Sequence, residues 1–110
     1  MEILEFCDKW ITLFSVEEVP AYLLVHEEFA QECSSFGWEM DCGKAFSEKY
    51  SCNAERALPF VEQETDVALI GSALCSYWRY FNHWAYSCEE ILDHRDWFVA
   101  VLNRIKTLSK

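Results

Sequence analysis

Hydrophobic residues recur every three or four positions along most of the chain, which is the period of a helix with one buried face. This spacing covers residues 2–15 and returns over residues 17–35, after which Gly37 indicates a left-handed stop. The inward positions of these two helices are Ile3, Leu4, Cys7, Trp10, Ile11 and Phe14, then Tyr22, Val25, Phe29, Cys33 and Phe36. No segment sustains a period of two, so the sequence predicts an all-α fold without a sheet.

The middle of the chain carries a weaker pattern. Asp41 is a candidate cap for a short helix that ends at Tyr50. Residues 51–59 indicate a loop or a single helical turn, and residues 60–64 indicate a connector that ends in acidic residues. The prediction for this region is therefore one short helix, followed by a loop or helical turn and then a connector.

The strongest helical pattern begins near Thr65 or Asp66 and runs to about Tyr86. One wide arc of this segment is apolar and contains Val67, Ile70, Leu74, Tyr77, Trp78, Phe81 and Trp84. The opposite side of its first half carries the small residues Ala68, Gly71, Ser72, Cys75 and Ser76. Because small residues let a second helix approach closely, we expect this to be the longest helix and the centre of the fold.

Two capping signals divide the C-terminal region. Residues 87–90 read as a capping box that starts a short turn, and Asp93, with Asp96 three residues on, is placed to cap the last helix. The inward residues of that helix are Trp97, Phe98, Val101, Leu102, Ile105 and Leu108. A chain of 110 residues supplies one good core. The prediction is a single domain over residues 1–110, a compact bundle of four to five helices with the segment 65–86 as its long central helix.

The high content of hydrophobic residues favours the formation of a buried core. Hydrophobic residues are 52% of the chain and aromatic residues 16%, so the aromatic rings either fill the core or form a surface that another chain covers. No stretch approaches the roughly 18 apolar residues that span a bilayer. The N-terminal residues lack the basic region of a signal peptide, so we expect a cytoplasmic protein.

Six cysteines occur at positions 7, 33, 42, 52, 75 and 88, without a C-x-x-C pair. Four of them, Cys7, Cys33, Cys75 and Cys88, fall on helical faces. In a reducing compartment these thiols behave as small hydrophobic side chains, so we expect them to be reduced and mostly buried.

The net charge of the whole chain is −10, and the acidic residues responsible for it are concentrated near the N-terminus. Residues 1–41 hold ten acids and one base, Lys9, which is −9, whereas residues 42–110 hold nine acids and eight bases, which is −1. Such a field repels nucleic acid and anionic membranes and attracts basic proteins. We therefore expect a basic protein surface as the partner, with no direct nucleic-acid or membrane binding. The alternative is that the charge serves solubility alone.

Leu24 is an apolar residue on the outer side of the second predicted helix. Its neighbours at three, four and seven residues are Glu27, Glu28, Gln31 and Glu17. An apolar tip with a charged rim is typical of an interface anchor. The predicted partner-binding site comprises Glu17, Glu18, Leu24, Glu27, Glu28, Gln31 and Glu32. The alternative is an ordinary exposed leucine, or one that another segment covers.

The segment 77–86 interleaves aromatic rings with Arg79 and His83. Aromatic residues among cations can stack nucleobases, but the chain lacks the basic groove that such binding needs, so the rings are assigned to the core. Arg79 and His83 lie four residues apart on the outer side and form a predicted secondary polar site that can pair with carboxylates.

Catalytic patterns are absent from the sequence: it contains no G-x-S-x-G, no Gly-rich phosphate loop and no H-E-x-x-H. A zinc site from Cys42, Cys52, Cys88 and a histidine is the one metal arrangement left open, because distant ligands can converge in a fold. We expect no metal, no cofactor and no enzymatic activity.

These features predict a small acidic binding protein of the inhibitor class, such as an immunity protein or an anti-CRISPR-type counter-defence protein. Such inhibitors bind the cationic grooves of nucleic-acid enzymes. The expectation rests on an analogy of charge and size with them. The alternative is a self-associating structural or adaptor domain, a homodimer with an aromatic interface.

Overall fold

The computed structural model describes the backbone of residues 1–15, 20–38, 44–51, 58–84 and 88–110, and the side chains of residues 1–15, 28–38, 47–51, 58–78 and 95–110. Within these ranges the helices are α1 (Ile3–Ser15), α2 (Pro20–Ser35), α3 (Lys44–Tyr50), α4 (Leu58–Val61), α5 (Val67–Trp84) and α6 (Cys88–Ser109). The described backbone contains no strand, so the all-α class is confirmed. The bundle has six helices there, rather than four to five, when the single turn of α4 is included.

Local signals at two helix ends act as predicted. The side-chain oxygen Oδ1 of Asp66 accepts the backbone N–H groups of Ala68 at 3.0 Å and Leu69 at 3.4 Å, which caps the start of α5. At the end of α2, Gly37 has a φ of +75° and its N–H donates to the carbonyl of Ser34 at 3.0 Å. This left-handed residue ends the helix and turns the chain toward Trp38.

The predicted break at Asp93 is wrong. α6 runs without interruption for 22 residues, against 18 for α5, so α6 is the longer of the two. Residues 88–96 contain neither Gly nor Pro, and an aspartate inside a helix costs well under about 1 kcal/mol relative to alanine. Continued backbone hydrogen bonding and packing outweigh that cost, so the helix continues past Asp93 and Asp96.

The middle region differs from its prediction in a smaller way. α4 crosses the predicted boundary between loop and connector, because Leu58 to Val61 form one helical turn. α3 begins at Lys44 among the described residues, and its predicted cap, Asp41, lies outside them.

α5 is enclosed on all sides over its middle turns. Every residue from 70 to 78 is buried, which for a helix means cover around its whole circumference. α5 packs on α2, α3 and α6, so its central place is confirmed. α6 shares that place, because it packs on α1, α4 and α5 and exposes only Asp96, Asn103 and Thr107 among its described side chains.

The small-residue side of α5 admits a close neighbour, as predicted, but that neighbour is an indole ring. A Cβ built on Gly71 would lie 2.3 Å from Cδ2 of Trp38, well inside van der Waals contact. Trp38 is buried against this bare backbone. The Gly37 turn at the end of α2 therefore places the indole ring of Trp38 directly against α5.

Aromatic rings form the middle of the core. Phe14 of α1 stacks on Phe98 of α6 with ring centroids 4.8 Å apart, and Phe29 of α2 lies 4.6 Å from Trp78 of α5. These contacts join four helices through interlocked rings. The predicted arc of α5 is confirmed at Ile70, Leu74, Tyr77 and Trp78, all buried, and Phe81 and Trp84 lie outside the described side chains.

One inward assignment in α1 is wrong. Leu4 is exposed, whereas Phe6 is buried beside Cys7, Trp10 and Phe14. At about 100° per residue, Leu4 lies roughly 100° from the centre of that buried group, at the edge of the apolar arc. The burial of Phe6 moves the centre of the arc away from Leu4, which explains the difference.

Candidate functional site

The structure describes part of the predicted partner-binding site. Glu17 and Glu18 lie outside the described residues. Leu24 and Glu27 lie on α2, but their side chains are outside the described set, as are those of Arg79 and His83 on α5. The geometry of the site is therefore given by Glu28, Gln31 and Glu32, the last residues of the predicted set.

Glu28 and Glu32 meet the one base of the acidic segment. The Lys9 ammonium donates to Oε1 of Glu28 at 2.5 Å and to Oε1 of Glu32 at 2.8 Å. Nε1 of Trp10 donates to the second oxygen of Glu32 at 2.6 Å, and Nζ of Lys9 lies 5.0 Å from the centre of the Trp10 ring. We call these four residues the Lys9 cluster. It joins α1 to α2 by charge and by an aromatic edge.

The two carboxylates of the Lys9 cluster differ in exposure. The side chain of Glu28 is 53% exposed, whereas that of Glu32 is 14% exposed and has both oxygens engaged. Gln31, three residues after Glu28 and next to Glu32 in the chain, is exposed. Glu32 therefore acts within the fold, and Glu28 and Gln31 form the outward part of the described site.

The environment of Lys9 favours its charged form. Burial by itself would lower the pKa of Lys9, but the hydrogen bonds to Glu28 and Glu32 outweigh it and raise the pKa above its ordinary value. The only base among residues 1–41 is thus held as a cation by two glutamates of the same chain.

The acidic surface continues onto α1, a part of the site that sequence reasoning missed. Glu5 and Asp8 are exposed there beside the exposed Leu4, and Glu2 is exposed just before the helix begins. Asp8 carries an ion pair with Lys106 of α6, with 2.5 Å between Oδ1 and Nζ. The helical position of Leu4 at the edge of the apolar arc is the signal that could have found this face.

Glu64 is the centre of a second, unpredicted set of polar contacts. Its Oε2 accepts Nζ of Lys49 at 2.6 Å and the hydroxyl of Tyr50, and its Oε1 accepts the backbone N–H of Thr65 at 3.0 Å. Its own carbonyl oxygen accepts Nη2 of Arg104 at 2.9 Å. We call these residues the Glu64 cluster. It joins α3, the start of α5 and α6.

The Glu64 carboxylate is held ionised although its side chain is only 5% exposed. The hydrogen bonds from Lys49, then from Tyr50, outweigh burial and lower the pKa of Glu64 to about 2. The same contacts raise the pKa values of Lys49 and Tyr50. Both oxygens of this nearly buried carboxylate accept hydrogen bonds from the same chain, so Glu64 serves as a structural element and offers no open oxygen to a ligand.

The three cysteines that the structure describes, Cys7, Cys33 and Cys75, are buried, as predicted, and free. Burial raises the pKa of the Cys7 thiol to about 11, and it raises that of Cys33, which is hydrogen-bonded to the Cys75 thiol, still further. Thiols with raised pKa values are poor nucleophiles, which applies to Cys7 and Cys33. All three buried cysteines belong to the core.

Metal ligation has no support among the described residues, where no three His, Cys, Asp or Glu side chains converge. Cys42, Cys52 and Cys88, named for the zinc alternative, lie outside the described side chains. Across the described ranges, every helix is too short or too polar to cross a lipid bilayer.

Comparison with known proteins adds no assignment: no protein family, no curated protein and no solved structure matches the chain. The functional argument therefore rests on the geometry and charge of the residues above.

Proposed function

We propose that this protein is a small acidic, non-enzymatic binding protein whose acidic N-terminal half docks on a basic surface of another protein. One observation carries the proposal. The only base among residues 1–41 is withdrawn into the Lys9 cluster, while Glu2, Glu5 and Glu28 remain exposed. Where its side chains are described, this half therefore presents a net acidic surface, with its one lysine paired to glutamates of the same chain.

An acidic face affects both how fast the protein meets a partner and which partners it binds. A concentrated acidic field accelerates encounter with a cationic surface and disfavours nucleic acid, which carries the same sign of charge. Surfaces built to bind phosphate, as in nucleic-acid enzymes, have the complementary charge. An inhibitor of such an enzyme, in the manner of immunity and anti-CRISPR-type proteins, is the concrete form of this proposal, with action in the cytoplasm.

The alternative, a homodimer with an aromatic interface, has less support. The described rings of Phe6, Trp10, Phe14, Phe29 and Phe98 are buried against one another, so much of the aromatic content has a use inside one chain. The mass in solution separates the two functions, because a monomer contradicts the alternative.

The test compares two pairs of charge reversals. Glu2→Lys with Glu5→Lys changes the acidic face of α1, and Glu48→Lys with Glu62→Lys makes the same change in charge at exposed positions elsewhere. A partner is captured from the native host with the unchanged protein, and association rates are measured at two salt concentrations. The first pair should slow association by about tenfold and flatten its salt dependence, and the second by about twofold or less. If both pairs slow association by the same factor, the proposed location of the binding surface is wrong. If neither pair changes binding of the partner, the proposed function is wrong.

A further inference from the structure

The Lys9 cluster is an ammonium-binding site that the chain fills with its own side chain. Two carboxylate oxygens lie 2.5 and 2.8 Å from Nζ of Lys9, and the Trp10 ring covers one side at 5.0 Å. Carboxylates and an aromatic face are the groups that recognise Lys and Arg side chains. The occupant seen in the structure, a primary ammonium, therefore indicates the chemistry of an external ligand.

The two halves of this site hold Lys9 with different strength. Glu28 is about half exposed, and an exposed ion pair is screened by water and salt and contributes little. Glu32 is mostly buried and is fixed by the N–H of Trp10. Lys9 can therefore leave Glu28 at small cost while it stays on Glu32, which opens one carboxylate at the surface.

We infer that Glu28 is the carboxylate that receives a Lys or Arg side chain of the basic partner, and that Lys9 competes for it as an autoinhibitory contact. This inference rests on the proposed function and narrows it to one residue and one class of ligand group. It also assigns Glu32 a positioning role, because Glu32 keeps Lys9 beside Glu28 without facing the partner.

A second ion pair on α1 provides a close control. Lys106 and Asp8 are also 2.5 Å apart, and their side chains are 31% and 62% exposed, against 30% and 53% for Lys9 and Glu28. Removal of either lysine changes the net charge from −10 to −11. A difference between the two variants therefore reports position and not overall charge.

The experiment measures binding of a fluorescently labelled oligo-arginine peptide by anisotropy at low and moderate salt. Lys9→Met should bind the peptide about threefold to fivefold more tightly than Lys106→Met, as expected for the loss of one competing surface ion pair. Glu28→Gln in the otherwise unchanged protein should weaken binding by a similar factor, and Asp8→Asn should weaken it less. In the Lys9→Met background, Glu28→Gln should remove the gain.

The outcomes separate the inference from the function on which it rests. Equal gains for Lys9→Met and Lys106→Met, with equal losses for Glu28→Gln and Asp8→Asn, would show a general acidic field and overturn the inference alone. No peptide binding by any of the proteins would overturn both. Helical circular dichroism of each variant is recorded first, and if Lys9→Met does not fold, the comparison of Glu28→Gln with Asp8→Asn decides the question.

Discussion

The Lys9 cluster and the Glu64 cluster are both built around carboxylates, yet they differ in exposure. Glu64 is almost fully buried, and its two oxygens accept two side chains and two backbone N–H groups. Glu28 of the Lys9 cluster is half exposed and shares one lysine with Glu32. The comparison shows that ion pairs in one small fold can serve different ends. The closed cluster fixes helices, and the open one leaves charge available at the surface.

The largest effect is expected from the closed cluster. Glu64→Ala removes the acceptor that joins Lys49, Tyr50 and the start of α5, so the free energy of unfolding should fall by about 2–4 kcal/mol. Urea denaturation followed by circular dichroism measures this loss. The matched control is Glu62→Ala at an exposed position of the same connector, which should change stability by less than about 0.5 kcal/mol. Similar small losses for both would show that the Glu64 cluster does not hold the fold.

Acid should weaken the same cluster without mutation. The folded-state pKa of Glu64 is lowered from 4.5 to about 2, so its stabilisation is present above the ordinary value and is lost as the pH falls between those two values. Glu64→Gln, which cannot titrate, should lose less stability than the unchanged protein between about pH 6 and pH 3. Equal losses measured by urea denaturation would contradict the assignment.

Close packing at Gly71 should give the next effect. An alanine methyl would lie 2.3 Å from the Trp38 ring, so Gly71→Ala should cost about 2 kcal/mol through forced displacement of a buried indole. Gly37→Ala meets no atom within 4 Å and should cost only about 1 kcal/mol through its positive φ. In a Trp38→Leu background, the added cost of Gly71→Ala should shrink. An unchanged cost there would mean that the ring is not the obstacle.

The smallest effects should come from the open cluster, and they should be unequal. Glu32→Gln weakens contacts to both Lys9 and Trp10 in a partly buried place and should cost about 1 kcal/mol of stability. Glu28→Gln removes one exposed ion pair and should cost less than about 0.5 kcal/mol. Thermal denaturation of the two variants side by side measures the difference. A larger loss at Glu28 would reverse the roles assigned here.

Much of the fold follows from local patterns. The described part of the α5 arc, most of the α1 arc, the start of α5 near Asp66 and the Gly37 stop depend on residues a few positions apart, so the sequence alone predicts them. The continuous α6 was missed because two aspartates resemble caps when their tertiary contacts are unknown. Trp38 against Gly71 could not be foreseen, because the contact joins residues far apart in the chain.

The candidate site was predictable as charge but not as geometry. The acid count of the first 41 residues pointed to Glu28 and Glu32 equally. Their difference depends on Lys9 and Trp10, about twenty residues away on another helix. The burial of Glu64 likewise depends on Lys49 and Arg104, which lie 15 and 40 residues from it. Long-range convergence of this kind leaves no periodic trace in a sequence.

The central claim is that exposed carboxylates of the N-terminal half bind a cationic partner, whereas buried ones hold the fold. The most direct measurement is the affinity of Glu28→Gln and Glu64→Gln for the oligo-arginine peptide, at a temperature at which both variants are folded. Both substitutions remove one negative charge. The account predicts that Glu28→Gln binds about threefold to fivefold more weakly than the unchanged protein, and that Glu64→Gln binds almost as well as it. Equal weakening by the two, or a greater loss for Glu64→Gln, would contradict the claim.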